Sequence, residues 1–304
     1  MNDNSVFSND DREKLRQFGL LDAEANTIRD KDKILIKGLF QNFYGKKLNV
    51  GIGFQRAHGA VLSGDYFDLI QLPDGNYLFI FADMSGHGLP AYTNLVRLRS
   101  AVTIAIGEAQ KIYEQSGSVD SEFLVRTIST MFTDIMEGAN SHDFACVIFT
   151  FISNAGDRFH LKFYNRGMLF PIILRKFEKQ VVGMYNLNRE EQGWRPLKGN
   201  LLSSDLRMLL EDKYNETPHC DFIMYEGDSI LYYSDGIIEA CHHDRPTDEY
   251  GEERIKQILL DHVNLMPQLV VQELFESVYG FMGRREQQKD DMTAVLIDFP
   301  PVRY

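Results

Sequence analysis

One stretch, residues 63–88, constrains the fold of this 304-residue chain more than any other. It reads SGDYFDLIQLPDGNYLFIFADMSGHG, and a Pro-Asp-Gly turn at residues 73–75 separates two apolar, extended runs. Asp65 lies at the start of the first run and Asp83 at the end of the second. Because a hairpin brings the outer ends of its strands together, both carboxylates should meet at one edge of a sheet. The Gly-His-Gly-Leu-Pro segment that follows predicts a tight turn into a helix.

The composition narrows the class of protein. A hydrophobic content of 44% allows one large domain or two small ones. Aspartate and glutamate number 44 against 32 lysines and arginines, which argues against nucleic acid or an anionic membrane as the main partner. The three cysteines match no zinc pattern and indicate free thiols in a reducing compartment. The N-terminus is polar and no stretch is apolar enough to span a membrane, so we expect a cytoplasmic protein.

Hydrophobic periodicity predicts the other elements. Helices are expected at residues 27–44, 89–107, 119–137, 251–262 and from Pro267, and strands at 48–57, 144–152, 158–164, 169–177, 221–225, 229–234 and 292–299. Residues 178–218 predict an insertion with a short helix at 201–210, and residues 242–250 a polar loop. Many strands with helices in two pairs favour an α+β fold, an antiparallel β-sandwich flanked by helical layers in the order α-β-β-α.

The pattern of predicted helices and strands divides the chain into two parts near residue 47. Residues 1–47 comprise a polar segment and the helix at 27–44, whose apolar stripe includes Leu35, Leu39 and Phe43. This helix either packs on its own domain or serves regulation or homodimerisation. Residues 48–300 are expected to form a single catalytic domain.

Aspartates recur at the ends of the predicted strands. They are Asp65, Asp83, Asp235 and the adjacent pair Asp290 and Asp291. A single aspartate at the end of a strand is often a turn-forming residue, but the recurrence of aspartate at four strand ends is harder to explain in that way. A set of oxygen donors without nearby histidine or cysteine favours magnesium or manganese over zinc. Four or five carboxylates suggest two ions that share a bridging carboxylate.

Four segments of the chain, taken in order, resemble a known family. They are SGDYFD, then FADMSGHG followed by a helix, then GDSILYYSDGIIEA, then KDDMTAVLI. Together they resemble the metal-dependent protein phosphatase (PPM) family with the protein phosphatase 2C-like fold. Within it they are similar to the bacterial branch of SpoIIE and the stress-response phosphatases that act on anti-anti-sigma factors. The resemblance runs from about residue 48 to residue 299.

The resemblance implies a site and an activity. It implies that Asp83 bridges two Mn²⁺ or Mg²⁺ ions, that Asp65 and the carbonyl of Met84 serve the first ion, and that Asp235, Asp290 and, with lower rank, Asp291 serve the second. Asp83, Asp235 and Asp290 would then be catalytic through a metal-bound water that hydrolyses phosphoserine or phosphothreonine. The implied substrate is a phosphorylated anti-anti-sigma (STAS-type) protein, and an upstream sensor protein would regulate the enzyme.

Two other functions stay open. The chain would be a catalytically weak, phosphatase-like binding module if the metal site did not support turnover, or a phosphatase for small molecules. Ser63-Gly64 stands where the family often has two glycines, and Tyr164-Asn165-Arg166-Gly167-Met168 stands where an Asn-Ala-Gly-His-like turn is usual. These departures leave the substrate-binding residues unknown.

Several polar residues receive a structural interpretation. His87 is expected to be structural or exposed rather than a general acid. His242 and His243 are expected in a solvated loop rather than at a metal, and Arg56 and Arg166 on the surface rather than on a substrate phosphate. Asp68 is a weaker candidate for contact with a metal through water.

Overall fold

A computed structural model describes residues 42–43, 46–60, 62–139, 141–154, 156, 158–183, 198–210, 214, 219–283 and 288–299. Most of the helix predicted at residues 27–44 lies outside these ranges, as does much of the predicted insertion. The helix prediction is wrong at residues 42–43, because strand β1 (Asn42–Phe43) pairs antiparallel with β2 (Lys46–Lys47).

Two sheets pack face to face. The first contains β4 (Tyr66–Gln71), β5 (Tyr77–Met84), β6 (Ala145–Asn154) and β7 (Arg158–Arg166) in that order, and both β10 (Lys198–Gly199) and β11 (Cys220–Tyr225) pair with β7. The second has the order β3 (Asn49–Gln55), β15 (Met292–Asp298), β12 (Ser229–Tyr233), β8 (Ile172–Arg175) and β9 (Gln180–Gly183). Neighbouring strands are antiparallel, except for the parallel pair β7 and β10.

Helices cover the outer face of each sheet. Helices α1 (Gly88–Ser116) and α2 (Ser121–Gly138) pack on the first sheet, and α5 (Gly251–Asp261) and α6 (Pro267–Met282) on the second. Two short helices, α3 (Ser204–Leu210) and α4 (Asp235–Ile238), follow β10 and β12 along the chain. These layers confirm the predicted α-β-β-α sandwich. Among the described helices, none has the length and apolar character that a bilayer crossing requires.

Strand β5 shows why the sheet lies in the middle of the molecule. Its residues are almost continuously apolar, and successive side chains point to opposite faces. Phe79 and Phe81 lie in the core between the sheets, whereas Leu78 and Ile80 lie in the core against α1 and α2. A strand that buries both faces is expected to lose the alternation of polar and apolar residues.

Two local predictions need correction. Helix α1 continues past Gly107 and ends at Ser116, where Gly117 has a φ of 73° and donates to the carbonyl of Tyr113. A single glycine costs a helix only about 1 kcal/mol, which the burial of Ala105 and Ala109 on the same helix offsets. The region predicted as a polar loop contains a hairpin of β13 (Cys241–His242) and β14 (Arg245–Glu249).

Candidate metal centre

The hairpin of β4 and β5 brings Asp65 and Asp83 together. Tyr66 lies opposite Ala82 in the strand register, so Asp65 and Asp83 are the next residues along the two strands. The hairpin continues beyond this point, because the N–H of Met84 donates to the carbonyl of Gly64 at 3.3 Å. A Cβ at residue 64 would lie 3.1 Å from the Met84 oxygen, so the approach favours a glycine.

The pairing of β12 with β15 supplies the other carboxylates. Asp235 follows β12 and Asp290 precedes β15, and because these strands are antiparallel, both residues lie at one edge of the second sheet. The N–H of Ser234 donates to the carbonyl of Thr293 at 3.0 Å and extends the pairing. A Cβ at Gly236 would lie only 2.1 Å from the backbone oxygen of Asp291. The Asp-Gly sequence at the start of α4 therefore allows Asp235 to approach residues 290–291.

Asp291 joins the two sheets at this edge. Its Oδ1 accepts the N–H of Ala57 at 2.8 Å, and its Oδ2 accepts the Ser63 hydroxyl at 2.9 Å and the N–H of Gly64 at 2.8 Å. The same Ser63 oxygen accepts the N–H of Asp65 at 3.0 Å. Both carboxylate oxygens of Asp291 are therefore engaged with the backbone that leads to Asp65.

Further hydrogen bonds orient the loops around the aspartates. The Thr293 hydroxyl donates to Asp65 Oδ2, and the N–H of Thr293 donates to the Ser234 hydroxyl at 2.9 Å. The Gln288 amide lies 2.8 Å from the carbonyl of Arg56 and 2.9 Å from that of Asp290. Sequence reasoning missed Ser63, Thr293 and Gln288, since a hydroxyl or amide carries no pattern that reveals a distant partner.

The pKa values show that the carboxyl groups share one pocket. Burial, together with the nearby charges of Asp65, Asp235, Asp290 and Asp291, raises the pKa of Asp83 to about 10. Burial also raises the pKa of Asp65 well above its usual range, against the hydrogen bond from Thr293. Such a cluster is costly when every member is charged, and a bound cation would reverse that cost. We refer to Asp65, Asp83, Asp235, Asp290 and Asp291 as the aspartate cluster.

The turn between Asp83 and α1 has the predicted glycine geometry. Gly86 and Gly88 have φ values of 78° and 72°, in the left-handed region that other residues rarely adopt. His87 lies between them at the N-cap of α1, exposed and with extended backbone. Burial raises the pKa of the Asp290 carboxyl, and the nearby His87 offsets a part of this rise.

Other polar residues lie in different surroundings. Asp68 accepts the Tyr66 hydroxyl at 3.0 Å, and its cross-strand neighbour Ile80 belongs to the core against the helices. The surface position predicted for Arg166 is wrong: this side chain is 1% exposed and lies over the Tyr214 ring at 4.7 Å. Its Nη1 donates to the Tyr214 carbonyl at 3.1 Å.

Glu239 is a residue that sequence reasoning overlooked. It follows Asp235 by four positions, at the end of α4, and its N–H donates to the Asp235 carbonyl at 2.8 Å. Burial raises the pKa of its carboxyl, as do the nearby Asp235, Glu249 and Asp290. The i, i+4 spacing would have placed it on the same side of a helical turn as Asp235.

Comparisons with known proteins agree with this architecture. The family model for Stage II sporulation protein E (SpoIIE) matches residues 199–300. The SiaA-PP2C domain of Pseudomonas aeruginosa is similar in structure, with a TM-score of 0.65 and 16% identity over 94% of this chain and 98% of that one. No curated protein sequence matches the chain significantly.

Two further solved structures contain the same fold. The PP2C phosphatase domain and regulatory-domain fragment of SpoIIE from Bacillus subtilis has a TM-score of 0.60 and 18% identity, over 84% of this chain and 65% of that one. The RsbU and RsbW domains of Rv1364c from Mycobacterium tuberculosis give 0.59 and 16%, over 84% and 61%. This chain thus spans less than two thirds of either structure.

Residues 199–300 thus match the SpoIIE family, and the described chain has the protein phosphatase 2C-like fold. The resemblance and the fold expected from the sequence are therefore confirmed. The matched residues of the SpoIIE-type domain include Asp235, Asp290 and Asp291 but not the hairpin with Asp65 and Asp83. The assignment of Asp65 and Asp83 to the site is therefore based on the strand register and the hydrogen bonds described above.

Proposed function

We propose that this SpoIIE-type domain is a Mg²⁺- or Mn²⁺-dependent protein phosphatase that hydrolyses phosphoserine or phosphothreonine on a partner protein in the cytoplasm. One observation carries the proposal: the β4–β5 hairpin and two segments remote from it, around residues 235 and 290, bring carboxylates together, so that Asp83 is close to Asp65, Asp235, Asp290 and Asp291. Carboxylate oxygens are the donors that hard divalent cations prefer. The donor set therefore fits the metals that the fold implies.

The position of Asp83 suggests how two ions would be held. Asp83 lies on the β4–β5 hairpin with Asp65 and is also close to Asp235 and Asp290 at the edge of the second sheet, so we assign it to both ions. Asp65 and the Met84 carbonyl would also bind the first ion, and Asp235 and Asp290 would also bind the second. When bound, two such ions lower the pKa of a water and neutralise phosphoryl oxygens.

Asp291 has a different task in this proposal. Its two oxygens already accept three hydrogen bonds from residues 57–64. We assign it to positioning, because a metal would have to compete with these buried donors. In this role Asp291 holds Asp65 and Asp290 at a fixed separation.

The aspartate cluster is open rather than closed. In the described part of the chain, single oxygens from three of its members do not all lie within 4.8 Å of one another. Binding of an ion would therefore draw the carboxylates closer together, since Mg²⁺ holds its oxygen ligands at about 2.1 Å. Water and substrate oxygens would occupy the coordination positions that the carboxylates do not fill.

The substrate and the regulatory parts are further proposals. The resemblance of the four sequence segments to the stress-response branch, with the match of residues 199–300 to the SpoIIE family, supports a STAS-type anti-anti-sigma protein as the phosphorylated substrate. We propose residues 48–300 as the catalytic domain. Residues 1–47 would then regulate it, through homodimerisation at 27–44 or through a sensor protein.

Phosphate release from a phosphoserine peptide, with and without added Mn²⁺, tests the proposal. We expect Mn²⁺-dependent release that falls at least about 100-fold in Asp83→Asn and Asp235→Asn, because each removes a ligand. Asp68→Asn is the matched control, since its carboxylate bonds Tyr66 and should leave the rate nearly unchanged.

Three outcomes would contradict the proposal in different ways. Hydrolysis of nucleotides in preference to the phosphopeptide would indicate a phosphatase for small molecules. Mn²⁺ binding by calorimetry without any turnover would indicate a binding module. Equal loss of activity in Asp68→Asn and Asp83→Asn would show that the losses do not come from metal ligands.

A further inference from the structure

A second cluster of metal-ligating side chains lies at the turn of the β13–β14 hairpin. His242, His243 and Asp244 each offer one ligand atom, and these atoms all lie within 4.8 Å of one another. The two imidazole rings stack with centroids 4.3 Å apart. His242 is half-buried, and the other two residues are exposed. We refer to these three residues as the His-His-Asp turn.

The end of α6 orients the ring of His243. The Nδ1 of His243 lies 3.2 Å from the Phe281 carbonyl, and the backbone N–H of His243 donates to the same oxygen at 3.3 Å. A carbonyl only accepts, so the proton of this ring is at Nδ1. This arrangement, with one ring N–H on a backbone carbonyl, is the one that directs the other nitrogen of a histidine towards a metal.

The other nitrogen of His243 points at a carboxylate. Its Nε2 lies 2.9 Å from Asp244 Oδ2. With Nδ1 protonated, a neutral ring has a lone pair at Nε2, and two acceptors at this distance require a cation between them. Either a second proton or a metal ion fills this role.

His242 supplies the third donor from a fixed ring. The ring packs edge-on against Phe281 at 5.0 Å in addition to stacking on His243. Its Nδ1 accepts the N–H of Asp244 at 3.1 Å. A metal bound by His242 would replace this one hydrogen bond, since a neutral imidazole has a single lone pair.

The backbone of α6 makes close contact with the turn. Gly283 has a φ of 72°, and a Cβ there would lie 2.9 Å from the Cβ and Cγ of His243. The ring of His243 is therefore confined between its own hairpin and the C-terminal end of a long helix. A confined ring loses less conformational entropy when it binds a ligand.

We propose that the His-His-Asp turn binds one borderline transition-metal ion, Zn²⁺ in preference to Mg²⁺. Two imidazole nitrogens and one carboxylate oxygen are a donor set that zinc accepts, with a water as fourth ligand. The ion would lie between His243 Nε2 and Asp244 Oδ2, where the two atoms already approach to 2.9 Å. The site differs from the aspartate cluster in its nitrogen donors.

Calorimetric titration with Zn²⁺ in the presence of excess Mg²⁺ tests the proposal, because Mg²⁺ competes with Zn²⁺ for the oxygen donors of the aspartate cluster but not for imidazole nitrogens. We expect one Zn²⁺ per chain, with affinity lowered at least about tenfold in both H242Q and H243Q. His142→Gln is the matched control: its Nδ1 pairs with a single carboxylate, Asp205, at 3.1 Å. Zn²⁺ binding that is the same in wild type and H243Q would overturn the proposal.

Co²⁺ absorption provides an independent readout. Nitrogen-rich sites of low coordination number give intense visible bands, whereas six-coordinate oxygen sites give weak ones. The bands should persist in Asp83→Asn and disappear in H243Q, and Zn²⁺ should raise the Tm of wild type but not of H243Q. Loss of the bands in Asp83→Asn with retention in H243Q would assign the metal to the aspartate cluster instead. Neither readout depends on phosphatase activity.

Discussion

Replacement of Ser63 by alanine tests how the two sheets are joined at the proposed metal centre. The Ser63 hydroxyl donates to Asp291 Oδ2 and accepts the N–H of Asp65, and the residue is 6% exposed. The change Ser63→Ala therefore removes a hydrogen bond to a charged group and leaves a buried backbone N–H without its acceptor.

The size of the effect follows from these two losses. A hydrogen bond to a charged partner contributes about 1.5–3 kcal/mol, and an unsatisfied buried donor costs about 1–3 kcal/mol. Asp291 Oδ2 keeps the N–H of Gly64, which lies 2.8 Å away. We therefore expect a loss of about 2–4 kcal/mol in the free energy of unfolding, together with weaker Mn²⁺ binding because Asp65 is less firmly held.

Urea unfolding in the presence of a chelator measures the stability, and calorimetry measures Mn²⁺ binding. Ser100→Ala is the matched control, since this exposed hydroxyl bonds only the Val96 carbonyl one turn earlier in α1, and we expect a change within about 0.5 kcal/mol. A double-mutant cycle with Asp291→Asn should give a coupling energy above about 0.5 kcal/mol. The reasoning fails if Ser63→Ala is no more destabilising than Ser100→Ala, or if the cycle shows no coupling.

Two further predictions concern the same pocket. Folded Asp83 has a pKa of about 10 against about 4 in an unfolded chain, so it retains a proton that the unfolded state has released. The stability of the metal-free protein should therefore fall as pH rises between these values, by up to about 1.4 kcal/mol per pH unit for this group. Urea unfolding at about pH 5.5 and at about pH 7.5 should show a smaller fall in stability for Asp83→Asn than for the wild type, and identical slopes would contradict the assigned cause. Gly236→Ala places a Cβ 2.1 Å from the Asp291 oxygen and should cost about 1–3 kcal/mol, whereas Gly107→Ala, with open space in α1, should gain about 0.5–1 kcal/mol. Equal effects in thermal unfolding would refute the close approach.

Much of the fold follows from local patterns. The near-continuous apolar runs of β5 and β6 predict strands buried on both faces, and Pro90 and Pro267 mark the first turns of α1 and α6. Predictions failed where two local signals compete. Gly107 does not end α1, and residues 42–43 form a strand, because packing and strand pairing outweigh intrinsic propensity.

By itself, the sequence determined which residues could form the site. A hairpin around the Pro-Asp-Gly turn must bring Asp65 to Asp83, because strand register is a local property. Only the tertiary structure decided that Asp235 and Asp290 meet this pair, through the pairing of β12 with β15 and the packing of the two sheets. It also directed both oxygens of Asp291 to residues 57–64 and buried Arg166. These contacts join residues between 48 and 234 positions apart, and no periodicity along a chain encodes a partner at such distances.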